Sequence, residues 1–247
     1  MICLILAAGY ATRMYPLTEN FPKPLLNISE KPIIDWLIDD VEKSENISKY
    51  VVVSNHKFIN MFNKWAEDSV NRNKIVVVDD GSTENENRLG AVKDIAFAIK
   101  ELNINDDLIV LAGDNLLDFS LKGFINYFKN KNATCVMRYF EQSVDKLRKT
   151  GVVTIDNADK IVHMVEKPQN PESNWAVPPF YIYAKEDLSK INEGINAGCP
   201  IDAPGNFISW LCKVSDIYTY EMPGKRFDIG SIEGYENVKI NYKGIKS

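Results

Sequence analysis

The first seven residues, Met1-Ile-Cys-Leu-Ile-Leu-Ala7, are apolar without interruption. A half-exposed antiparallel strand alternates apolar and polar side chains, whereas a parallel strand covered on both faces forms a continuous apolar run. The opening segment therefore predicts a central strand of a parallel sheet. Further apolar runs at 50–53, 74–79 and 107–112 alternate with helical patterns. This alternation predicts βαβ units.

Repeated βαβ units favour a Rossmann-like, mostly parallel sheet in a three-layer α/β/α arrangement. After residue 133 the pattern changes, because segments 133–140, 151–155 and 160–166 are strand-like and closely spaced. These segments predict extra mixed strands added to the same sheet. No Gly/Ser linker separates the two parts, so we expect a single domain, 1–247, whose halves are 1–132 and 133–247.

The composition excludes several classes of protein. A net charge of -5, from 29 Lys+Arg and 34 Asp+Glu, argues against broad attraction to nucleic acid or to an anionic membrane. No apolar stretch reaches the roughly 20 residues that span a bilayer, and the start lacks the basic region of a signal peptide. The 4 cysteines are scattered without zinc-ligand spacing. We therefore expect a cytoplasmic protein with reduced thiols.

A long irregular stretch, residues 8–31, follows the first strand and is rich in proline and charge. Loops of this length in a compact domain are usually functional. A turn of small residues at the carboxyl end of a strand lets backbone N–H groups approach phosphates. Leu6, Ala8 and Gly9 are accordingly predicted to contact a nucleotide.

Arg13 and Lys23 lie in the same loop and supply the positive charge that a triphosphate needs. Either residue alone would be an ordinary solvated side chain, but the pair inside a Pro-bracketed loop favours phosphate binding. The loop contains neither a Gly-Lys-Ser/Thr phosphate loop nor the dinucleotide Gly-x-Gly-x-x-Gly pattern. Arg13 and Lys23 are therefore the predicted catalytic residues of a different type of nucleotide site.

Residues 6–18 read Leu-Ala-Ala-Gly-Tyr-Ala-Thr-Arg-Met-Tyr-Pro-Leu-Thr, and residues 22–26 read Pro-Lys-Pro-Leu-Leu. Together they resemble the N-terminal signature of sugar nucleotidyltransferases such as glucose-1-phosphate thymidylyltransferase, with Ala11 in place of the second glycine. The resemblance implies a fold of the nucleotide-diphospho-sugar transferase type. It also implies a reaction between an NTP and a phosphorylated small molecule, with release of pyrophosphate.

The same resemblance assigns residues to three parts of a site. Asp114 in Gly-Asp-Asn and Asp228 in Arg-Phe-Asp-Ile-Gly-Ser, which is similar to the family's Trp-x-Asp-x-Gly-Thr, would hold Mg2+. Val-Glu-Lys-Pro would bind the acceptor, and a loop before a predicted helix would read the base. The implied residues are Gly151, Glu166 and Lys167 for the acceptor, and Asn85 and Gly90 for the nucleotide.

The halves 1–132 and 133–247 would then bind nucleotide with metal and acceptor, respectively. In the base loop, Asn85, Asn87 or Arg88 could bond to a pyrimidine edge, which favours pyrimidine nucleotides, although a polar turn capping a helix explains the same residues. The acceptor pocket is expected to be remodelled, because Pro178 and Pro179 replace the family's Thr-Gly and segment 202–210 stands in place of the family's Glu-Ile-Thr-Asp. The resemblance leaves a homo-oligomer open.

Three alternatives remain at this stage. A cytidylyltransferase acting on phosphocholine would need an aromatic cage, for which Trp175, Phe180, Tyr181, Tyr183 and Trp210 are candidates. A non-catalytic regulatory homologue would not need the charged residues that this chain retains. A glycosyltransferase on a related fold would normally carry an Asp-x-Asp metal motif, and the sequence after Gly113 is not one.

Overall fold

The computed structural model describes residues 1–246 of the chain. Strands and helices alternate through the first part, as the sequence predicts. The strands are β1 (Ile2–Leu6), β2 (Asn27–Ile28), β3 (Lys31–Pro32), β4 (Lys49–Ser54), β5 (Ile75–Asp79), β6 (Leu108–Ala112), β7 (Asn115–Leu117), β8 (Cys135–Phe140), β9 (Gly151–Ile155), β10 (Ile161–Glu166), β11 (Trp175–Val177), β12 (Phe180–Tyr183), β13 (Tyr218–Glu221) and β14 (Arg226–Asp228). The α-helices are α1 (Ile33–Ser44), α2 (Ile59–Asp68), α3 (Ala91–Glu101), α4 (Lys122–Lys131), α5 (Val144–Leu147), α6 (Lys185–Leu188), α7 (Lys190–Asn196), α8 (Gly205–Leu211) and α9 (Ile232–Asn241).

Contacts within the chain define two compact units, each assembled from separate segments. Unit 1 comprises Met1–Arg88, Ala112–Gly123 and the described residues from Pro223 onward, and unit 2 comprises Leu89–Leu111 and Phe124–Met222. Each unit thus draws on both halves of the sequence. The assignment of nucleotide and acceptor binding to 1–132 and 133–247 stays a prediction.

Three of the four strands predicted from apolar runs, β1, β4 and β5, lie in unit 1, whereas β6 lies almost entirely in unit 2. β4 pairs in parallel with β1 on one side and with β5 on the other, with Leu4 opposite Val51 and Val52 opposite Val77. The side chains of β1 and β4 are almost all buried, which is why their sequences do not alternate. The strand ends of this sheet are followed by the loops that carry the signature residues.

A second cluster of buried side chains in unit 1 packs around α9 and the signature loop. Its buried members are Met14, Leu26, Ile28, Ile33, Leu116, Ile229, Tyr235, Val238 and Tyr242. Leu116 lies in β7, and Ile229 directly follows β14. The strands β7 and β14 pair antiparallel and form a short ribbon. This apolar packing fixes the short ribbon on which the predicted metal residues lie.

Unit 2 contains the mixed strands that the second half of the sequence predicts. β12 pairs antiparallel with β6 and β8, β11 pairs antiparallel with β8 and β9, and β9 forms an antiparallel pair with β10. β13 adds a parallel partner to β8. Segment 175–183 forms two strands, because Pro178 and Pro179 separate β11 from β12 and proline cannot donate to a ladder.

The cysteines are free thiols as expected, and burial raises the pKa of Cys3, Cys135, Cys199 and Cys212. In the part of the chain that the structure describes, no helix has the length and apolar character to cross a membrane.

Candidate active site

The turn after β1 is held at both of its sides. The backbone N–H of Ala7 donates to Val53 (2.9 Å), and the buried Asn55 side chain donates to the carbonyl of Ala8 (3.0 Å). The carbonyl of Leu6 accepts from the N–H of Gly113 (3.0 Å). Gly9 follows as an exposed residue, and no atom lies within 4 Å of the position a Cβ would take. The predicted nucleotide turn therefore leaves the backbone at Gly9 accessible.

The single departure from the signature, Ala11, lies in the left-handed region with φ 48° and ψ 39°. Such a conformation costs an L-residue roughly 1–2 kcal/mol, and glycine avoids that cost. Two hydrogen bonds to its carbonyl, from Met14 N–H (2.9 Å) and Thr18 Oγ1 (2.9 Å), hold the backbone in place. The backbone angle thus suits the glycine that the resembled signature carries at this position.

The two predicted catalytic cations occupy different environments in unit 1. Arg13 is exposed on a 3₁₀ turn, Thr12–Met14. Lys23 is buried, and its Nζ donates to Asp114 Oδ2 at 2.6 Å. The Lys23 ammonium therefore lies directly beside a predicted metal ligand, 91 residues away in sequence.

Glycine is favoured before Asp114 because a side chain there would be crowded by its neighbours. A Cβ on Gly113 would lie 3.0 Å from Ile5 Cγ2, 3.1 Å from the Leu6 carbonyl oxygen and 3.3 Å from Pro24 Cγ. The missing side chain lets the start of the Gly-Asp-Asn segment contact the end of β1 and the signature loop. This close approach positions Asp114 within reach of Lys23.

The strands β7 and β14 bring the two predicted metal ligands together. Asn115 lies opposite Asp228 in the register, and the N–H of Ile229 contacts the Asp114 carbonyl at 3.4 Å. Opposed residues in antiparallel strands have Cβ atoms about 4.5–5.5 Å apart. Asp114 is thus a direct neighbour of the pair that contains Asp228. The prediction that two distant aspartates converge agrees with this register, and their role in metal binding stays a prediction.

Asn115 connects the charged groups of this ribbon. Its Nδ2 donates to Asp114 Oδ1 (2.6 Å), and its Oδ1 accepts from Arg226 Nη1 (2.8 Å). Arg226 Nη1 lies 3.9 Å from Asp228 Oδ2. A continuous line of polar contacts therefore runs from Lys23 to Asp228.

The donor set of this ribbon suits Mg2+. Mg2+ prefers oxygen ligands and is usually held by one or two carboxylates together with water and substrate phosphates. The Asp114 and Asp228 side chains are 35% and 54% exposed, so both can reach a ligand from solvent. Among the described residues no three His, Cys, Asp or Glu side chains form a cage for a metal. The site thus fits a metal that is shared with a phosphate substrate.

The predicted base-reading loop uses part of its polar side chains to hold itself. Asn87 Oδ1 accepts from the N–H groups of Thr83 (3.0 Å) and Glu84 (3.2 Å), which caps the short turn 85–87. Asn85 Oδ1 accepts from Arg88 Nη1 at 3.1 Å. Capping therefore accounts for Asn87, whereas the predicted role of Asn85 is untested.

Gly90 follows this loop and belongs to unit 2. Its φ is 88°, and a Cβ there would lie 2.6 Å from the carbonyl oxygen of Ile201. The backbone N–H of Val92 donates to the same carbonyl at 3.0 Å. Only glycine fits this conformation and this contact, so Gly90 secures the start of α3 against segment 201–202.

The predicted acceptor residues of unit 2 surround one carboxylate. Glu166 ends β10, opposite Gly151 in β9. A Cβ on Gly151 would lie 3.0 Å from Glu166 Oε2, and a Cβ on Gly205 would lie 2.0 Å from the same oxygen. Two glycines therefore make room for the Glu166 carboxylate, and Gly205 belongs to the segment that replaces the family's Glu-Ile-Thr-Asp.

Lys167 lies beside this carboxylate in a left-handed backbone conformation, with φ 49°. Its Nζ is 3.5 Å from Asp202 Oδ2, and Asp202 Oδ1 accepts from Asn206 Nδ2 at 2.8 Å. Both partners of the ion pair are about half exposed, so the pair is weak and open to substrate. Lys167 is thus accessible from solvent, and its role in binding the acceptor stays a prediction.

Glu166 has an unusual protonation equilibrium. Burial raises the pKa of Glu166 to about 7, while Lys167 opposes and Asp202 adds to that shift. A buried carboxylate with this pKa is protonated in the folded chain at a pH where the unfolded chain has released the proton. The stability of unit 2 should therefore depend on pH through this residue.

We expect the free energy of unfolding of the wild type to fall as pH rises from 4.5 through 7. Glu166→Gln should not show this fall, because glutamine does not titrate. In that window the folded state binds more protons than the unfolded state, so the free energy of unfolding falls with pH. Between pH 4.5 and pH 8, the free energy of unfolding of the variant should therefore rise relative to that of the wild type by at most about 3 kcal/mol. Urea unfolding at pH 4.5 and pH 8 measures it, with Glu172→Gln as an exposed control; identical pH dependence of wild type and Glu166→Gln would contradict it.

The five aromatic residues proposed for a choline cage do not line one open site. Phe180, Tyr181 and Tyr183 are core residues of β12, each no more than 2% exposed. Trp175 packs against Phe140 and under the guanidinium of Arg138, and Trp210 stacks on Phe207. Core packing therefore accounts for the three residues of β12, and contacts with neighbouring side chains account for Trp175 and Trp210.

Sequence reasoning missed several residues of these sites. Asn115 and Arg226 were visible only as neighbours of the predicted metal aspartates, and Asp202 and Gly205 only as part of a departure from the family pattern. The signal that could have identified Arg226 is its position, because a charged residue stands where the family segment has tryptophan.

Comparison with known proteins gives the family and the fold. The family model described as nucleotidyl transferase matches residues 2–243. A similar solved structure is UDP-glucose pyrophosphorylase complexed with UDP-glucose, with a TM-score of 0.82 and 24% identity over 98% of this chain and 97% of that one. This likeness confirms the predicted α/β fold of the nucleotide-diphospho-sugar transferase type.

Two curated relatives are longer than this chain. The bifunctional protein GlmU of Methanocaldococcus jannaschii is 30% identical over 78% of this chain and 42% of its own length. Glucose-1-phosphate adenylyltransferase of Fervidobacterium nodosum is 26% identical over 95% of this chain and 59% of its own length. The chain therefore spans about half the length of these relatives.

Proposed function

The chain belongs to the nucleotidyl transferase family, and from that premise we propose that it transfers the nucleoside monophosphate part of an NTP to a phosphorylated small molecule. The acceptor is a sugar 1-phosphate and the second product is pyrophosphate. Pyrimidine nucleotides are the favoured donors.

The observation that supports this proposal is the contact between Lys23 and Asp114 on a ribbon that also carries Asp228. A cation and two partly exposed carboxylates are the groups that a polyphosphate with a divalent metal requires. The exposed Arg13 adds a second cation in unit 1. A non-catalytic homologue would have no need to keep all four charged groups.

The attacking group in this reaction needs little activation. A phosphate monoester is mostly dianionic at neutral pH, because its second pKa is about 6. No general base is therefore needed for its oxygen to attack the α-phosphorus, and the bond from that phosphorus to pyrophosphate breaks. The protein has to align the oxygens and balance the charge.

Each charged residue then has a role. Arg13 binds the triphosphate, and Lys23 contacts the phosphates of both substrates. Leu6, Ala8 and Gly9 supply the backbone at the nucleotide, with Asn85 and Gly90 at the base. Asp114 and Asp228 hold Mg2+, which when bound neutralises phosphate charge.

The acceptor is bound by residues of unit 2. Lys167 pairs with the acceptor phosphate in place of Asp202, and Glu166 accepts hydrogen bonds from acceptor hydroxyls between Gly151 and Gly205. The buried aromatic residues of β12 favour a sugar over the alternative acceptor, phosphocholine, because they leave no open cage for a quaternary ammonium.

We expect pyrophosphate to appear only when an NTP, an acceptor phosphate and Mg2+ are all present, because the attacking oxygen belongs to the acceptor. The measurement is a pyrophosphate-release screen that crosses the four common NTPs and dTTP with sugar phosphates, phosphocholine and phosphoamino acids. Pyrophosphate release at the full rate without an acceptor would identify a hydrolase. Release with phosphocholine as the one active acceptor would favour the cytidylyltransferase alternative.

A further inference from the structure

Arg226 is a charged residue of unit 1 to which no role has been assigned. It begins β14, two residues before Asp228, at the position where the family segment carries tryptophan. The guanidinium donates from Nη1 to Asn115 Oδ1 at 2.8 Å, and the side chain is 18% exposed. Arg226 is thus fixed on the ribbon but still in contact with solvent.

The contact between Arg226 and Asp228 depends on charge rather than on a hydrogen bond. Nη1 and Oδ2 are 3.9 Å apart, which exceeds hydrogen-bond distance. The Asp228 side chain is more than half exposed, and partly exposed pairs of this kind contribute little. A stronger anion could therefore take the place of Asp228.

The ribbon is electrically balanced in this state. Lys23 faces Asp114 and Arg226 faces Asp228, so each carboxylate of the predicted metal pair has a cation beside it. A divalent cation that binds without phosphate would compete with Lys23 and Arg226 for the two carboxylates. A phosphate group would remove that competition, because a guanidinium binds phosphate through two parallel N–H bonds.

We propose that Arg226 binds a phosphate group of a substrate, and that this contact releases Asp228 to a divalent cation. The inference rests on the proposed function. Its consequence is that cation and polyphosphate bind to the chain together. The positive charge of Arg226 disfavours the cation until phosphate neutralises it, and the negative charge of Asp228 disfavours phosphate until the cation neutralises it. Arg226 then contacts the substrate directly and controls the availability of a metal ligand.

Two equilibrium measurements on Arg226→Gln test this proposal without turnover. Calorimetric titration with inorganic pyrophosphate in the absence of divalent cations should show affinity lowered about tenfold or more, the scale of a lost bond to a charged group. Titration with Mn2+ alone, followed by electron paramagnetic resonance, should show affinity raised by about fivefold. Arg226→Lys, which keeps the charge, should bind Mn2+ as the wild type does and lose part of the pyrophosphate affinity.

The opposite signs separate this role from a structural one. A variant that merely loosens the ribbon would bind both ligands more weakly, and that result would overturn the proposal, as would unchanged affinity for both. Lys239→Gln makes the same change of charge on the exposed face of α9 and should alter neither affinity. Wild-type pyrophosphate release in the substrate screen tests the proposed function separately, so either idea can fail alone.

Discussion

Asp114→Asn and Asp228→Asn are each expected to lower kcat by at least about 10³-fold, because a metal ion contributes several kcal/mol to the stabilisation of transition-state charge. Asparagine keeps the shape of each side chain and removes only the charge. Asp228 is half exposed, so its variant should unfold at the wild-type temperature. Steady-state kinetics with saturating substrates and a thermal melt check both statements.

The double variant gives the sharper result. Two carboxylates that serve one ion act as a unit, so Asp114→Asn with Asp228→Asn should be hardly slower than either single variant. Asp39→Asn, an exposed aspartate of α1 paired with Lys31, is the matched control and should keep near-normal activity. Near-normal activity of Asp228→Asn alone would show that the match of segment 226–231 to the family's metal segment is coincidental.

Lys23→Met should lower kcat/KM by about 10²- to 10³-fold, the scale for loss of one group that stabilises transition-state charge. The Lys23 ammonium is buried at 2.6 Å from Asp114, so methionine can fill its space but leaves that carboxylate without its counter-ion. Both kcat and affinity for NTP should fall, because Lys23 is assigned to phosphates in the ground state and in the transition state.

Lys31→Met provides the comparison for Lys23→Met. Lys31 forms an ion pair of similar length, 2.5 Å to Asp39, in the same unit. Its loss should change kcat/KM by less than about threefold, since exposed ion pairs contribute about 1 kcal/mol or less. Equal effects of the two substitutions would mean that Lys23 serves only the stability of unit 1.

The sequence was sufficient where the signal is local. The apolar runs identified β1 and β4, because strands covered on both faces are mostly apolar, and the same pattern identified β5, in which only Val78 is buried. The signature loop was recognised from its order of residues and predicted Lys23 as a site residue beside phosphates. Neither inference needs knowledge of which distant segments meet.

The short ribbon was outside the reach of pattern analysis. β7 and β14 have 3 residues each, too few to show any periodicity. They pair because Leu116 and Ile229 are buried in one cluster with residues of α9. The predicted convergence of Asp114 and Asp228 therefore came from the family resemblance and not from local sequence.

The sequence by itself determined the class of fold, the family and most of the charged residues, because these depend on the periodicity and order of side chains along the chain. The tertiary structure decided which of them touch: Lys23 with Asp114, Asn115 with Arg226, and Glu166 between Gly151 and Gly205. Asn115 and Arg226 are 111 residues apart in the chain. Contacts over such a separation depend on how buried apolar surfaces pack, which no local pattern encodes.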